Sequence, residues 1–121
     1  MKILRSFGYA WNGLKYAFTT QANFKIHLFI TAMVILAGIG LPISATEWLI
    51  VLISFAMVLS AELMNTAIEK LSDVVHPDIH PGIKLVKDIA AGAVLVSAII
   101  SVVIACVIFL PKSIHFFKII K

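Results

Sequence analysis

Three stretches without a charged residue dominate the sequence: Leu28–Thr46, Trp48–Ala61 and Ile89–Pro111, of 19, 14 and 23 residues. A helix rises about 1.5 Å per residue and crosses the roughly 30 Å hydrocarbon core of a bilayer with about 20 residues. The first and third stretches therefore predict transmembrane helices as they stand. The second is too short unless it runs on through Glu62, and Leu63, Met64, Ala67 and Ile68 keep that continuation apolar on one side. The second span then carries carboxylates near one end. With 61% hydrophobic residues and only 13% charged, the chain cannot be an ordinary water-soluble globule, in which about one residue in four is charged.

The residues ahead of the first span read as an amphipathic helix, with Phe7, Trp11, Leu14 and Phe18 on one stripe and Lys2, Arg5, Asn12 and Lys15 on other sides. Two placements are open for it: flat on the membrane surface, or with its stripe packed on the spans. A secretory signal peptide is not expected, because 27 residues rich in polar and aromatic side chains precede the run and no clean cleavage motif follows it. Gly38, Gly40 and Pro42 predict a tight turn between spans one and two, and His76-Pro77-Asp78-Ile79-His80-Pro81-Gly82 predicts the second connection. The expectation is one all-α membrane domain over 1–121, with a surface helix at 1–25 and transmembrane helices at 27–45, 47–72 (with its cytoplasmic extension) and 84–110.

Lys and Arg flank span one on its N-terminal side and recur at Lys70, Lys84 and Lys87, so the N-terminus and the second connection are expected in the cytoplasm. Lys112, Lys118 and Lys121 in the tail argue the other way, and the earlier segments are given precedence. The net charge of +4 suits an anionic membrane surface, and the basic face of a nucleic-acid binder is missing. Cys106, the single cysteine, reads as a small packing residue.

Chemistry concentrates in Glu62-Leu-Met-Asn65-Thr66-Ala-Ile-Glu69-Lys-Leu-Ser-Asp73. At 100° per residue Glu62, Asn65, Glu69 and Asp73 share one helix face. Like charges at these spacings repel and carboxylates at membrane depth are costly, so a divalent cation or a basic side chain should face them. Asp73 alone reads first as a solvated residue. Glu62, with apolar residues on both sides, reads as a functional carboxylate suited to general-base work near neutral pH. Lys84, Lys87 and Asp88 open span three, ahead of Ala90-Ala91-Gly92-Ala93, whose small side chains permit close helix approach. Acidic groups with a metal, plus lysine at the membrane surface, suit phosphoryl transfer from a magnesium nucleotide to a lipid hydroxyl, although no Walker loop is present. One chain is small for two substrates, and several copies would help. His76 and His80 are a weak basis for zinc and read as loop residues first, nucleotide contacts second. His27 reads as an interfacial anchor.

Glu62-x-x-Asn65-Thr66-Ala67-Ile68-Glu69-x-x-x-Asp73, followed by Lys87-Asp88-x-Ala90-Ala91-Gly92-Ala93-Val94, resembles the bacterial integral-membrane diacylglycerol kinase family. The likeness extends through Gly8-Tyr9-x-Trp11-x-Gly13 and Asn23-Phe24-Lys25-Ile26-His27 and covers nearly the whole chain. The Asn-Thr-Ala-Ile-Glu wording, the His-Pro loop and Phe109-Leu-Pro-Lys112 are most similar to the Gram-positive-type branch, whose members phosphorylate undecaprenol. The resemblance implies a homotrimer in the bacterial cytoplasmic membrane with composite sites between subunits, and ATP with Mg2+ as phosphoryl donor. It implies Glu62 as base on the lipid hydroxyl, Asn65 as a positioning residue and Glu69 as metal ligand. It further implies Lys87, Asp88, Asp78, Ile79, His80, Tyr9 and Lys2 as nucleotide contacts, and Glu62, Ala91 and Trp11 against the lipid, undecaprenol or diacylglycerol. Gln21 departs from the pattern, standing where the family has a second metal-binding Glu, and a neutral amide is a weaker ligand for a hard cation. The alternative it raises is a lipid-binding scaffold of the same fold, without catalysis or with impaired metal binding.

Overall fold

The computed structural model describes Met1–Lys121 and contains only helices: α1 (Lys2–Thr20), α2 (Ala22–Gly40), α3 (Ala45–Val75) and α4 (Pro81–Ile120). The last three are long and apolar enough to cross a membrane, as the charge-free runs predict.

Local chemistry explains each boundary. Gln21 is extended and breaks the chain between α1 and α2 earlier than the expected end at 25, and beside the break the Thr19 and Thr20 hydroxyls donate to the Lys15 and Tyr16 carbonyls. Leu41 is extended because Pro42 follows it and disfavours helical geometry in the preceding residue. Ser44 and Glu47 form a reciprocal capping box at the start of α3, each side chain bonding the other's backbone N–H. At the start of α4, Pro81 occupies a first-turn position where its missing N–H costs nothing, and the Gly82 N–H donates to His80 Nδ1 at 3.0 Å. A Cβ on Gly82 would lie 3.2 Å from the His80 ring, which is why glycine stands there.

α3 is the centre of the molecule. Its buried residues, Val51, Ser54, Val58, Glu62 and Thr66, recur every three or four positions and form one inward stripe against α4 and α2. The Ser101 hydroxyl of α4 donates to the Ser54 carbonyl at 3.3 Å, a contact that small residues permit. At the turn end, Lys112 donates to the Pro42 carbonyl at 2.9 Å and pairs with Glu47 at 3.0 Å. The tail lysine that opposed the topology expectation is thus neutralised beside the α2–α3 turn. α4 continues as helix through Pro111 to Ile120, ten residues past the expected end of its span.

Only 11 of 121 residues are buried, so the apolar outer faces of α2 and α4 need lipid or further copies of the chain to cover them. The stripe of α1 does not pack on the chain's own spans. Trp11 is 68% exposed, with Phe7 and Phe18 also outward, and the helix docks through the small Ala17.

Candidate functional site

Glu62 belongs to the inward stripe of α3, and that placement turns its carboxylate away from lipid; the residue is only 3% exposed. Its Oε1 lies 3.2 Å from His27 Nε2 on α2. The Thr66 hydroxyl donates to the Glu62 carbonyl one turn on, at 2.9 Å. A buried carboxylate without a partner would be strongly unfavourable, and the imidazole is what satisfies it.

Moving along α3 away from the membrane centre, Asn65 Nδ2 donates to Glu69 Oε1 at 3.2 Å. The other amide atom, Asn65 Oδ1, is buried and has no hydrogen-bond partner. Such an orphaned oxygen beside a carboxylate suits a hard cation, which binds through oxygen. No three His, Cys, Asp or Glu side chains converge on one point in the chain. Mg2+ usually takes one or two carboxylates and completes its shell with water and substrate phosphates, so Glu69 with Asn65 Oδ1 fits that pattern. Gln21 sits at the α1–α2 joint, half-buried, its Nε2 donating to Thr20 Oγ1 at 3.2 Å.

Beyond Glu69 the acidic face emerges into solvent. Asp73 Oδ1 accepts from Lys87 Nζ, and Lys84 Nζ donates to Asp88, each at 2.5 Å. Lys87 and Asp88, neighbours in the chain, thus take separate partners. The Lys87 hydrogen bond and charge hold the Asp73 carboxyl below the usual carboxylate range, with the charge of Lys70 adding to the effect and partial desolvation opposing it. Lys70 also lies over the Tyr16 ring at 5.9 Å, tying α1 to this end of α3.

Next to Lys87 the connection between α3 and α4 forms an open concavity lined by His76, Asp78, Ile79, His80, Lys84 and Lys87. His76 Nδ1 is 3.1 Å from the Asp78 carbonyl, and the His76 and His80 rings lie 5.0 Å apart. Lys87 thus links the concavity to the acidic face. Lys2, Tyr9, Trp11 and Ala91 are exposed on α1 and α4, with their side chains available to lipid, ligand or another copy.

The contact of His27 with Glu62 is what sequence reasoning missed, having read His27 as an interfacial anchor. A signal was present. His27 and Glu62 bound the two charge-free runs on either side of the α2–α3 turn and lie about equally far from Ser44, so an antiparallel pair of helices brings them to the same depth.

A family model described as prokaryotic diacylglycerol kinase matches residues 8–109. The chain belongs to that family. It is 42% identical over 110 residues to a diacylglycerol kinase of Synechocystis, covering 90% of this chain and 63% of that relative's length. It is 39% identical over 111 residues to the undecaprenol kinase of Bacillus subtilis, covering 92% of this chain and 90% of the relative. The diacylglycerol kinase of Escherichia coli is 26% identical over 107 residues, with 88% of both chains covered. The family segment contains the acidic face of α3, the connecting loop and the start of α4.

Proposed function

We propose that this protein is a lipid kinase of the bacterial cytoplasmic membrane, transferring the γ-phosphoryl group of ATP to the hydroxyl of undecaprenol or diacylglycerol. The observation that carries the reading is the ionisable, buried Glu62 at the inner edge of an acidic face that leads outward to paired lysines. Family membership and the names of the relatives support the class of acceptor.

In this reading Glu62 accepts the proton of the lipid hydroxyl as its oxygen attacks the γ-phosphorus, and ADP leaves with the electrons of the broken P–O bond. Glu69 and Asn65 Oδ1, with Gln21 as a weaker contributor, would hold Mg2+, which would supply charge neutralisation on the transferring phosphates. Asn65 fixes Glu69 through its Nδ2 hydrogen bond. Lys87 exchanges Asp73 for a phosphate, while Asp88 and the Asp78–His80 loop line the nucleotide's approach. Tyr9 and Lys2 of α1 complete the nucleotide site, and Trp11 and Ala91 face the lipid.

The assembly we propose is a homotrimer, because the outward placement of Tyr9, Trp11 and Ala91 suits sites shared between copies. The N-terminus and the α3–α4 connection lie in the cytoplasm, where ATP is, in keeping with the flanking lysines. The test is phosphoryl transfer by purified protein from labelled ATP to undecaprenol and diacylglycerol at equal surface concentration. Metal-dependent labelling of either lipid is expected. No transfer to any lipid alcohol in a panel would reject the reading in favour of a non-catalytic scaffold.

A further inference from the structure

We propose that His27 is a positioning residue for Glu62: its Nε2 stands against Oε1, holds the buried carboxylate in one orientation and leaves Oε2 to face the lipid hydroxyl. This rests on the lipid-kinase reading and adds a residue to its machinery.

The pair is nearly sealed. The Glu62 side chain is 4% exposed, against 20% for His27, at a separation of 3.2 Å. A buried carboxylate needs a polar partner against it, and that partner fixes which of its two oxygens stays free. His27 is the one side chain that forms an ion pair with Glu62. The rest of the wall around the imidazole offers nothing equivalent: it borders a crevice between α2, α3 and α4 with Ile30, Phe55, Val58, Ala98 and Ser101, none of which titrates. Lys15 of α1 borders a different cleft, with Trp11, Phe18 and Phe24. The imidazole is itself held on a regular helix, where the Thr31 hydroxyl donates to the His27 carbonyl at 2.7 Å. Anchoring at the interface would require none of this geometry, since an anchor faces headgroups and His27 faces Glu62.

The experiment compares the parent protein, Glu62→Gln, His27→Leu, His27→Asn and His27→Gln in bilayers, measuring kcat and both KM values from pH 6 to 9. His27→Leu is expected to lower kcat at neutral pH by about 10- to 100-fold, within the range of acid–base contributions. Both KM values should stay within about twofold, because the imidazole acts on the carboxylate and not on either substrate. His27→Gln, which keeps a donor at similar reach, should recover most of the rate, and His27→Asn, which is too short, should behave like His27→Leu. The Gln and Asn variants carry the test if His27→Leu does not fold.

Parental kcat in His27→Leu overturns the proposal, as does a deficit shared in full by His27→Gln, which would mark a structural role. A parent that transfers no phosphate rejects the lipid-kinase reading and the proposal with it. An active parent, an inactive Glu62→Gln and unimpaired His27 variants reject the proposal alone.

Discussion

Lys87 of α4 reaches back across the connecting loop to Asp73 of α3, Nζ to Oδ1 at 2.5 Å, so the two helices are clasped at the end where the acidic face meets solvent. Because Lys87 is neither buried nor bound to its own neighbour Asp88, it can change partners at small cost.

The clasp has a defined pH dependence. Asp73 is held below the usual carboxylate range, so its contribution is present above the unfolded value and is lost as pH falls through the lower, folded value. The difference in unfolding temperature between the parent and Asp73→Asn should be small and constant from about pH 5 to pH 8, and should vanish in stronger acid. A difference that survives in strong acid would mean that Asp73 acts through something other than its charge.

Lys87→Met should raise the KM for ATP at least severalfold with little change in the KM for lipid, since the lysine is the cation shared by the clasp and the nucleotide concavity. Steady-state kinetics with each substrate varied in turn checks this. Equal effects on both KM values would place Lys87 elsewhere.

Glu62→Gln should reduce turnover by about 100- to 10,000-fold while leaving oligomeric state and thermal unfolding close to those of the parent. The amide keeps the volume and still accepts a hydrogen bond from His27, so the loss would report chemistry and not packing. Near-parental activity would remove Glu62 as the base.

Metal use should respond at both ends of the oxygen set. Glu69→Gln is expected to raise the Mg2+ concentration for half-maximal activity, and Gln21→Glu to lower it, each severalfold, because a hard cation prefers carboxylate to amide oxygen. Activity titrated with Mg2+ at saturating ATP distinguishes them. If Gln21→Glu leaves the titration unchanged, Gln21 lies outside the metal site.

At the far end of the molecule Gly38→Ala should destabilise the protein by about 1–3 kcal/mol, since the new methyl must displace a packed ring. A Cβ at Gly38 would stand 2.8 Å from the Trp48 ring. Activity per folded molecule should be unchanged, because Trp48 and Gly38 lie at the turn end of the spans, remote from Glu62. Thermal unfolding in detergent, read beside specific activity, separates the two effects.

The spans were legible in the chain because a bilayer admits only helices whose side chains are almost free of charge, a demand that two charge-free runs meet as they stand and the middle one meets by running on through Glu62. The loops were equally local, since Pro42, Pro77 and Pro81 break helices wherever they fall. The acidic face could also be read, because residues three and four apart meet on a helix whatever surrounds it. Helix ends were less legible. α1 ends at Thr20, short of the expected boundary at 25, and α4 continues as helix through Pro111 to Ile120.

By itself, then, the sequence determined a three-span helical membrane protein with its carboxylates gathered at one end of the second span, because those properties depend on periodicity and apolar length alone. Only the tertiary structure decided who faces whom across helices: His27 with Glu62, Lys87 with Asp73 and Lys112 with Glu47. Most of these partners are far apart in the chain, and which of them meet is set by the depth and rotation of packed helices. Those are fixed by the inward stripe from Val51 to Thr66, against which α2 and α4 pack.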